Sequence, residues 1–382
     1  MKILYIYTAL TTFGGVDKIL ITKANYLADK LGYQVYIVTD SQAHRDVVFT
    51  LSPNVVHFDL DIDFGQQYYH NIFYRFFIYL KLIRIYKTRL TKYLNEIKPD
   101  IVISTLGRDL DFITSIKDGS IKIGEAHTSK DYIRNFHLIE SKGPIFRYLM
   151  KWFKYKQKKT IFNLEKLVVL NIKEKNKWND TNNVVVIPNP LTINTDRTSN
   201  YNNKSVISVG RLAEEKGFDL LIKAWSIVAK KHKDWHLDIY GNGMIKDELI
   251  NCINEYNLSS KISLNNPTPQ ITNKYIESSF YVMSSRFEGF GLVLTEAMEC
   301  GLPCIAFDCP TGPSEIIKNG EDGILIENGN IGKMAEAICY LIENEDIRKK
   351  MGENAKRNVA RFSKDNIMAR WDMLFKELIQ DK

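Results

Sequence analysis

The residues with the clearest chemical potential lie in segment 287–296, where two carboxylates flank two glycines. Gly289 and Gly291 allow the backbone to turn sharply and to approach a ligand closely. The apolar run before the segment predicts a strand, and the sequence after the glycines predicts a helix whose free amide groups point into the loop. Such a helix end binds anions. Glu288 and Glu296 beside it indicate a ligand with hydroxyls on both sides of a diphosphate, which is the chemistry of a nucleoside-diphosphate sugar.

This segment resembles the signature of retaining family-4 glycosyltransferases with the GT-B fold. The resemblance rests on two glutamates separated by seven residues in Glu-Gly-Phe-Gly-Leu-Val-Leu-Thr-Glu-Ala-Met, and it continues through 301–303, 312–317 and 320–323. It implies that Glu288 binds hydroxyls of the donor sugar and that Glu296 holds the ribose. The loop that it assigns to the donor consists of Gly289, Phe290, Gly291 and Leu292.

A second charged group follows the first predicted strand of the second half, in Gly-Arg-Leu-x-x-x-Lys-Gly over residues 210–217. The resemblance places Arg211 and Lys216 on the nucleotide diphosphate and Gly210 in the turn beside it. A leaving diphosphate gains negative charge as the glycosidic bond breaks, so fixed cations stabilise the transition state more than the ground state. The alternative interpretation, which does not use the resemblance, is that Arg211 and Lys216 are ordinary surface cations at the start of a helix.

Two features of the first half join this set. Gly14 and Gly15 separate a predicted strand from a predicted helix, and the resemblance assigns this loop to the donor phosphate or the acceptor. Many nucleotide-binding folds carry the same turn for steric reasons alone. His127 follows another predicted strand, and the resemblance places it near the far hydroxyls of the donor sugar, although a single histidine is often structural.

The elements that position these residues alternate between strand and helix along the whole chain, which is typical of parallel sheets built from βαβ units. Six strands are predicted in each half, at 2–7, 34–39, 101–104, 122–125, 166–170 and 184–187, and at 205–209, 236–240, 261–264, 281–284, 304–307 and 323–325. Ligands of such sheets bind beyond the carboxyl ends of the strands.

The predicted fold class is therefore α/β, and the resemblance specifies GT-B, with two Rossmann-like domains whose parallel sheets face each other across a cleft. We expect an N-terminal acceptor domain over 1–190, a polar linker over 191–204 and a nucleotide-sugar donor domain over 205–363. The amphipathic segment 364–382 is expected to return to the first domain, as the closing helix does in that fold.

Composition fits a two-domain globular protein, since 45% of the 382 residues are hydrophobic and 25% are charged. The charge is uneven: residues 1–190 contain 28 Lys and Arg against 18 Asp and Glu, and the remainder contains 24 against 27. A basic stripe at helical spacing lies beside aromatic residues and indicates either an anionic membrane surface or a solvated helix face; it consists of Arg147, Lys151, Lys154 and Lys158. No nucleic-acid recognition motif accompanies the charge, so we expect no such partner.

The five cysteines are odd in number and all lie in the second half, which favours free thiols in a reducing cytoplasm. Asp59-x-Asp61-x-Asp63 and Asp109-x-Asp111 resemble the metal motif of GT-A transferases, but this spacing is common in turns. We expect no metal and no cofactor. Residues 3–10 predict a buried strand rather than a signal peptide. The expected location is cytoplasmic, with peripheral contact at the inner face of the plasma membrane.

Together these features predict a retaining glycosyltransferase that moves a hexose or N-acetylhexosamine from a nucleoside-diphosphate sugar, with UDP favoured and GDP possible. The acceptor would be a glycan or a lipid-linked saccharide of the cell surface. One alternative is a non-catalytic module that binds sugar nucleotides. Another is a nicotinamide-dependent dehydrogenase, which should carry Gly-x-Gly-x-x-Gly. The third glycine is missing after Gly241-x-Gly243 and after Gly289-x-Gly291.

Overall fold

The computed structural model describes residues 1–69, 72–130 and 144–382. These residues form two compact units. The first contains Met1–Pro190 together with Ile367–Lys382, and the second contains Leu191–Asn366. Each unit has its own parallel sheet.

The sheet of the first unit has seven strands in the order β3-β2-β1-β4-β5-β6-β7. The strands are β1 (Lys2–Tyr7), β2 (Gln34–Thr39), β3 (Val55–Asp59), β4 (Ile101–Ser104), β5 (Ile121–Glu125), β6 (Lys166–Val169) and β7 (Val184–Val186). The first helices of the chain are α1 (Gly15–Asp29), α2 (Ile72–Ile97), α3 (Pro144–Phe162) and α4 (Ile172–Lys177). All strand pairs in this sheet are parallel.

The central strands are apolar because helices cover both faces of a parallel sheet. Residues Ile3 to Ile6 in β1 and Ile101 to Ile103 in β4 are almost fully buried. Tyr86, Leu90 and Leu94 of α2 recur at helical spacing and pack into the same core.

The second sheet has six strands in the order β10-β9-β8-β11-β12-β13. The strands are β8 (Ser205–Val209), β9 (His236–Tyr240), β10 (Ile262–Asn265), β11 (Phe280–Met283), β12 (Cys304–Phe307) and β13 (Gly323–Ile326). Its helices are α5 (Phe218–Lys231), α6 (Lys246–Glu255), α7 (Ile271–Ile276), α8 (Leu292–Glu299), α9 (Pro313–Ile316), α10 (Ile331–Glu343) and α11 (Glu345–Val359).

Strand order in both sheets reverses beside the first strand of each unit, between β1 and β4 and between β8 and β11. Two diverging connections leave a crevice at the carboxyl ends of such strand pairs, and ligands of doubly wound sheets bind there. The two charged groups predicted from the sequence follow these strands: segment 210–217 comes after β8, and segment 287–296 comes after β11.

The last helix, α12 (Lys364–Gln380), belongs to the first unit from Ile367 onward. Its apolar face buries Trp371 and Phe375. The Trp371 ring covers the Lys23 ammonium of α1, with Nζ 3.7 Å from the ring centroid. The Arg370 guanidinium donates to the Val186 carbonyl at the edge strand β7. The first unit is thus built from both ends of the sequence.

Segment 191–204, which the sequence predicts to be a linker, is packed into the second unit. Leu191, Ser199 and Tyr201 are buried. The Leu191 amide donates to the Phe362 carbonyl at 2.8 Å, and the Ser199 hydroxyl donates to the Ser278 carbonyl at 2.5 Å. The segment forms neither a helix nor a strand, which agrees with the lack of periodicity in its sequence. Individual hydrogen bonds to loops and helix ends hold it in place.

Across the described parts of the chain, no helix combines the length and the hydrophobicity that crossing a membrane requires.

Candidate active site

The loops that follow β8 and β11 bring Lys216 and Glu288 together. The Lys216 ammonium lies 2.7 Å from Oε1 of Glu288, and the side chains are 23% and 10% exposed. The Ser285 hydroxyl donates to the same oxygen at 2.7 Å. An ammonium and a carboxylate, 72 residues apart in sequence, are thus fixed side by side at the position where this class of sheet binds ligands.

Glycines make this approach possible. Gly217 has φ +62°, and a Cβ there would lie 2.1 Å from the Ser284 carbonyl oxygen, so the loop after β8 packs directly on the loop after β11. Gly312 is equally confined, since a Cβ would lie 2.6 Å from the Phe290 carbonyl oxygen. The Thr311 hydroxyl donates to the Glu288 carbonyl at 2.6 Å. The backbone at Glu288 is therefore held by neighbouring loops.

Helix α8 starts where the sequence predicts it. Gly291 is its N-cap with φ +95°, and Leu292 is the first helical residue. Gly289 lies in the loop just before this turn. The Phe290 ring is buried and packs edge to face against Phe362 at a centroid distance of 5.5 Å. A role for Phe290 in ligand binding would therefore fall to its backbone.

Glu296 lies one turn into α8, with only 4% of its surface exposed. The Thr192 hydroxyl donates to Oε1 at 2.6 Å, and the Tyr275 hydroxyl donates to Oε2 at 3.4 Å. The carboxylate thus joins segment 191–204 to α7. No local spacing connects Thr192 or Tyr275 to Glu296, so neither residue could be predicted from the sequence. The predicted contact with a ribose stays a prediction.

Arg211 and Lys216 occupy the same loop but have different partners. Arg211 is 71% exposed and pairs with Glu215, four residues later. Gly210, at the start of the loop, lies against Gly241, where a Cβ would stand 1.9 Å from the Gly210 carbonyl oxygen. The ammonium is therefore fixed at the site, whereas the guanidinium extends into solvent from the same loop.

Arg286 is a structural member of the site that the sequence analysis missed. Its guanidinium binds both carboxylate oxygens of Asp219 at 2.8 Å and donates to the Glu214 carbonyl at 2.7 Å. Its backbone amide donates to the Glu215 carbonyl at 2.8 Å. Arg286 therefore braces the loop that carries Lys216, and its position two residues before Glu288 is the signal that could have identified it.

In the first unit, the loop of Gly14 and Gly15 is organised by Asp17. The Thr12 amide and hydroxyl donate to Oδ2 of Asp17 at 2.9 and 3.0 Å, and the Tyr7 hydroxyl donates to Oδ1 at 2.5 Å. Gly14 is the N-cap of α1. Burial, together with the adjacent Asp17 carboxylate, raises the pKa of Tyr7 far above its ordinary value. The hydrogen bonds to Asp17 therefore fix the conformation of the loop that precedes α1.

His127 lies two residues beyond β5, and its side chain is 6% exposed. Its Nε2 is 3.5 Å from Oε1 of Glu125, which is too long for a strong hydrogen bond. Within the described parts of the chain, this buried nitrogen has no hydrogen-bond partner. Burial lowers the pKa of His127 despite the nearby Glu125 carboxylate, which favours the neutral imidazole.

The described residues contain no group of three or more His, Cys, Asp or Glu side chains placed to hold a metal ion. Asp59, in the first Asp-x-Asp motif, accepts hydrogen bonds from the Thr39 hydroxyl and from the backbone N–H of Gln42. Asp111, in the second, accepts from the Tyr79 hydroxyl at 2.6 Å. Both motifs thus have structural partners.

Helix α3 presents cations and aromatic rings to solvent. Trp152 and Tyr155 are 50% and 70% exposed, and Lys158 pairs with Asp180 at 2.5 Å. Phe153 points the other way and packs on Tyr79 in a small core. The other cations of the predicted stripe are also exposed, namely Arg147, Lys151 and Lys154.

Residues 192–358 match the family model for glycosyl transferases group 1. An uncharacterized glycosyltransferase of Haemophilus influenzae is 33% identical over 211 residues, which cover 54% of this chain and 60% of the relative. The amylovoran biosynthesis glycosyltransferase AmsD of Erwinia amylovora is 34% identical over 54% of this chain and 61% of its own length. The matches thus span about three fifths of these curated relatives.

Solved structures resemble the chain over its whole length. Sucrose-phosphate synthase of Thermosynechococcus elongatus has a TM-score of 0.81 at 17% identity, with both chains fully covered. A variant of TarM from S. aureus with bound UDP has a TM-score of 0.77 at 19% identity, over 98% of this chain and 99% of TarM. At such low identity, these similarities support the fold alone. They confirm the predicted pair of Rossmann-like domains. Residues 192–358 are therefore similar to the glycosyl transferases group 1 family, and the fold of the chain is that of GT-B glycosyltransferases.

Proposed function

We propose that this protein is a retaining glycosyltransferase that moves a hexose or N-acetylhexosamine from a nucleoside-diphosphate sugar to a glycan or lipid-linked acceptor in cell-surface polysaccharide synthesis. The observation that carries the proposal is the pair of Lys216 and Glu288, held at 2.7 Å where the second sheet reverses its strand order. The pair lies within the region that matches the family. UDP-sugars are the favoured donors and GDP-sugars the second choice.

Each residue of the site has a role that follows from its chemistry. The Lys216 ammonium and the Arg211 guanidinium bind the diphosphate, whose charge grows as the sugar leaves. The amino end of α8 adds the positive end of a helix dipole. Glu288 accepts hydrogen bonds from sugar hydroxyls, because a carboxylate can bridge two adjacent hydroxyls. Before the donor binds, Glu288 keeps the ammonium of Lys216 oriented.

Retention follows in our proposal from front-face substitution, in which the departing phosphate accepts the proton of the acceptor hydroxyl. Proton NMR of the first product formed should show the same anomeric configuration as the donor. A sugar trapped covalently on a side chain during turnover would contradict this mechanism. Because cationic side chains serve the diphosphate, we also expect turnover to persist in excess EDTA.

Helix α3 supports a lipid-linked acceptor at a membrane surface. Its four exposed cations, with Trp152 and Tyr155 between them, suit the headgroup region of an anionic membrane. One relative, from Campylobacter jejuni, carries a diphospho-undecaprenol acceptor in its name and is 35% identical over 169 residues. We therefore place the protein on the cytoplasmic face of the plasma membrane.

Vesicle sedimentation tests the membrane contact. Vesicles with anionic lipid should retain the protein, whereas purely zwitterionic vesicles should not. The double variant K151E/K154E should weaken vesicle binding by at least about 30-fold, since each of the two cations near the surface contributes on the order of 1 kcal/mol. The matched control is K349E/K350E, two exposed lysines of α11 in the second unit. Equal losses in both variants would show that overall charge, rather than α3, governs binding.

Thermal stabilisation by a panel of nucleoside diphosphates and their sugars tests the donor site. Selective stabilisation by the UDP or the GDP series identifies the donor class, and turnover of that donor separates an enzyme from a binding module that lacks catalysis. A flat response to the panel with a shift for NAD(P) would overturn the proposal in favour of a dehydrogenase.

A further inference from the structure

Arg108 lies at the carboxyl edge of the first sheet and has no role in the proposed binding of the donor. It comes four residues after β4 and begins a short 3-10 helix, Arg108–Asp111. The strand order of this sheet reverses between β1 and β4, and ligands of doubly wound sheets bind beside such a reversal. An arginine at this point is placed to meet a ligand of the first unit.

Two buried residues hold the guanidinium of Arg108. Its Nη1 donates to Oδ1 of Asp40 at 3.3 Å, and its Cζ lies 4.3 Å from the centroid of the Phe64 ring. Asp40 and Phe64 are only 1% and 2% exposed. Asp40 directly follows β2, so the arginine reaches across the end of β1, which lies between β2 and β4. A side chain that is already oriented loses little conformational freedom when it binds a ligand.

Most of the hydrogen-bonding capacity of this guanidinium is unused. A guanidinium carries five N–H donors in a planar fork. Across residues 1–69, 72–130 and 144–382, the hydrogen bond to Asp40 is the only one that the Arg108 side chain forms. The side chain is 27% exposed, so a ligand can reach it from solvent. The fork matches the spacing of two phosphate oxygens.

The charges around Arg108 leave the cation as the exposed member of the group. The carboxylates of Asp40 and Asp109 are both buried. Asp59, whose charge also acts on Asp40, already accepts hydrogen bonds from two backbone N–H groups of the loop after β2. An anionic group that approaches this edge therefore meets the guanidinium before the carboxylates.

The backbone before Arg108 is constrained as well. Leu106 is buried and has φ +57°, in the left-handed region. A Cβ at Gly107 would lie 3.1 Å from Oδ1 of Asp109 and 4.0 Å from Oγ1 of Thr8, so the loops after β1 and β4 meet here. Non-glycine residues keep a left-handed conformation where the surrounding structure fixes them, and they cluster at ligand sites.

We infer that Arg108 is an acceptor-binding residue, which binds a phosphate group carried by the acceptor. The inference rests on the proposed function and narrows its acceptor to a phosphate-bearing molecule. The fork donates parallel hydrogen bonds to phosphate oxygens, while Asp40 orients it and Phe64 covers one of its faces. A polyol phosphate and a lipid diphosphate both present this chemistry.

NMR of the protein with isotope-labelled arginine tests the inference. Burial raises the pKa of Asp40 to about 6 despite the Arg108 guanidinium, so spectra are recorded well above this pH, where the ion pair is intact. The nucleoside diphosphate that stabilises the protein most is present at saturation. The probes are glycerol phosphate and geranyl diphosphate, and glycerol is the neutral control.

The Nε–H signal of Arg108, assigned by its absence from the spectrum of R108K, should shift saturably with at least one phosphate probe and not with glycerol. The probe that binds more tightly distinguishes a polyol phosphate from a lipid diphosphate. A signal that ignores both phosphate probes would overturn the inference. A signal that already shifts with the nucleoside diphosphate alone would also overturn it, because Arg108 would then meet the donor.

Calorimetry with the same probes measures the contribution of the side chain. R108Q should weaken binding by at least about tenfold, because charge-assisted hydrogen bonds are lost. R108K should weaken it by about threefold or more, since an ammonium lacks the fork. R84Q, at an exposed arginine of α2 in the same unit, is the matched control and should bind like the parent.

Two results in the variants would contradict the assignment. One is a folded R108Q that binds both probes with the parent affinity, and the other is an equal loss in R84Q, which would show that overall charge governs binding. Should R108Q not fold because Asp40 loses its partner, R108K keeps a cation beside Asp40, and parent affinity in R108K would overturn the inference.

The two proposals fail separately. Absence of nucleotide binding in the parent protein would overturn the proposed function, whatever the phosphate probes show. A parent protein that binds a nucleoside diphosphate, but whose Arg108 signal ignores the phosphate probes, would overturn only the present inference.

Discussion

Replacement of Lys216 by alanine tests the proposed function most directly. The ammonium is fixed by Glu288 at 2.7 Å and is 23% exposed, so it acts in a partly desolvated position. Two unit charges about 4 Å apart interact by about 4 kcal/mol at an effective dielectric constant of about 20. Only the charge that develops on the diphosphate during the reaction counts toward the rate. We therefore expect a loss of about 3 kcal/mol of transition-state stabilisation, or roughly 100-fold in kcat.

The assay is nucleoside-diphosphate release at saturating donor, with the donor Kd measured separately by calorimetry. The effect on kcat should exceed the effect on Kd, because the leaving group gains charge only in the transition state. K216R keeps the charge and should recover part of the rate. K204A is the matched control, since Lys204 also forms an ion pair, with Asp234 at 2.5 Å, but precedes β8 at the opposite end of the strand.

Thermal unfolding of each variant shows whether the site is intact. Loss of Lys216 leaves the Ser285 hydroxyl donating to Oε1 of Glu288, so the fold should survive. A folded K216A whose kcat stays within about threefold of the parent value would refute the assignment of Lys216 to the diphosphate. A similar loss in K204A would show that the assay reports overall charge instead.

Three further predictions concern the same fold. E288A should lower kcat by on the order of 100-fold or more, and a parent-like rate would remove Glu288 from the site. G217A should lower the melting temperature clearly more than G320A, because both glycines have positive φ but only a Cβ at position 217 would clash, 2.1 Å from a carbonyl oxygen; equal shifts would contradict the packing of the two loops. Burial raises the pKa of Asp40 from 3.8 to about 6 despite the Arg108 guanidinium, so the folded state holds this proton more tightly than the unfolded chain and stability falls as pH rises through that range. D40N should therefore gain stability over the parent between pH 4.5 and 7.5, by up to about 3 kcal/mol, and a gain that does not change with pH would refute the assignment.

Periodicity identified the elements that lie inside a sheet, because a buried parallel strand is an uninterrupted apolar run. β1, β2 and β8 begin and end at the predicted residues. β3 (Val55–Asp59) was missed, since it is an edge strand whose exposed positions interrupt the apolar pattern. An edge strand buries too little surface to need a continuous hydrophobic sequence.

The candidate site likewise contains features that local sequence predicts and contacts that it does not. Local sequence indicated the Gly291 turn, the helix after it and the charged loops, because each depends on neighbouring residues. It could not indicate that Thr192 meets Glu296, or that Lys23 meets Glu125, since these partners are about 100 residues apart. Such contacts depend on strand order, which no local pattern encodes.

The return of α12 to the first unit also affects how the protein is made. A ribosome that has completed residue 190 must still synthesise the 176 residues of Leu191–Asn366 before the remainder of the first unit appears. At about 5–20 residues per second, this delay is on the order of 10 to 35 seconds. During that interval the nascent first unit lacks the Trp371 ring, which lies 3.7 Å from the Lys23 ammonium in the folded protein. The second unit, which is contiguous in sequence, can fold in the meantime, so the unit that starts first is the one that finishes last.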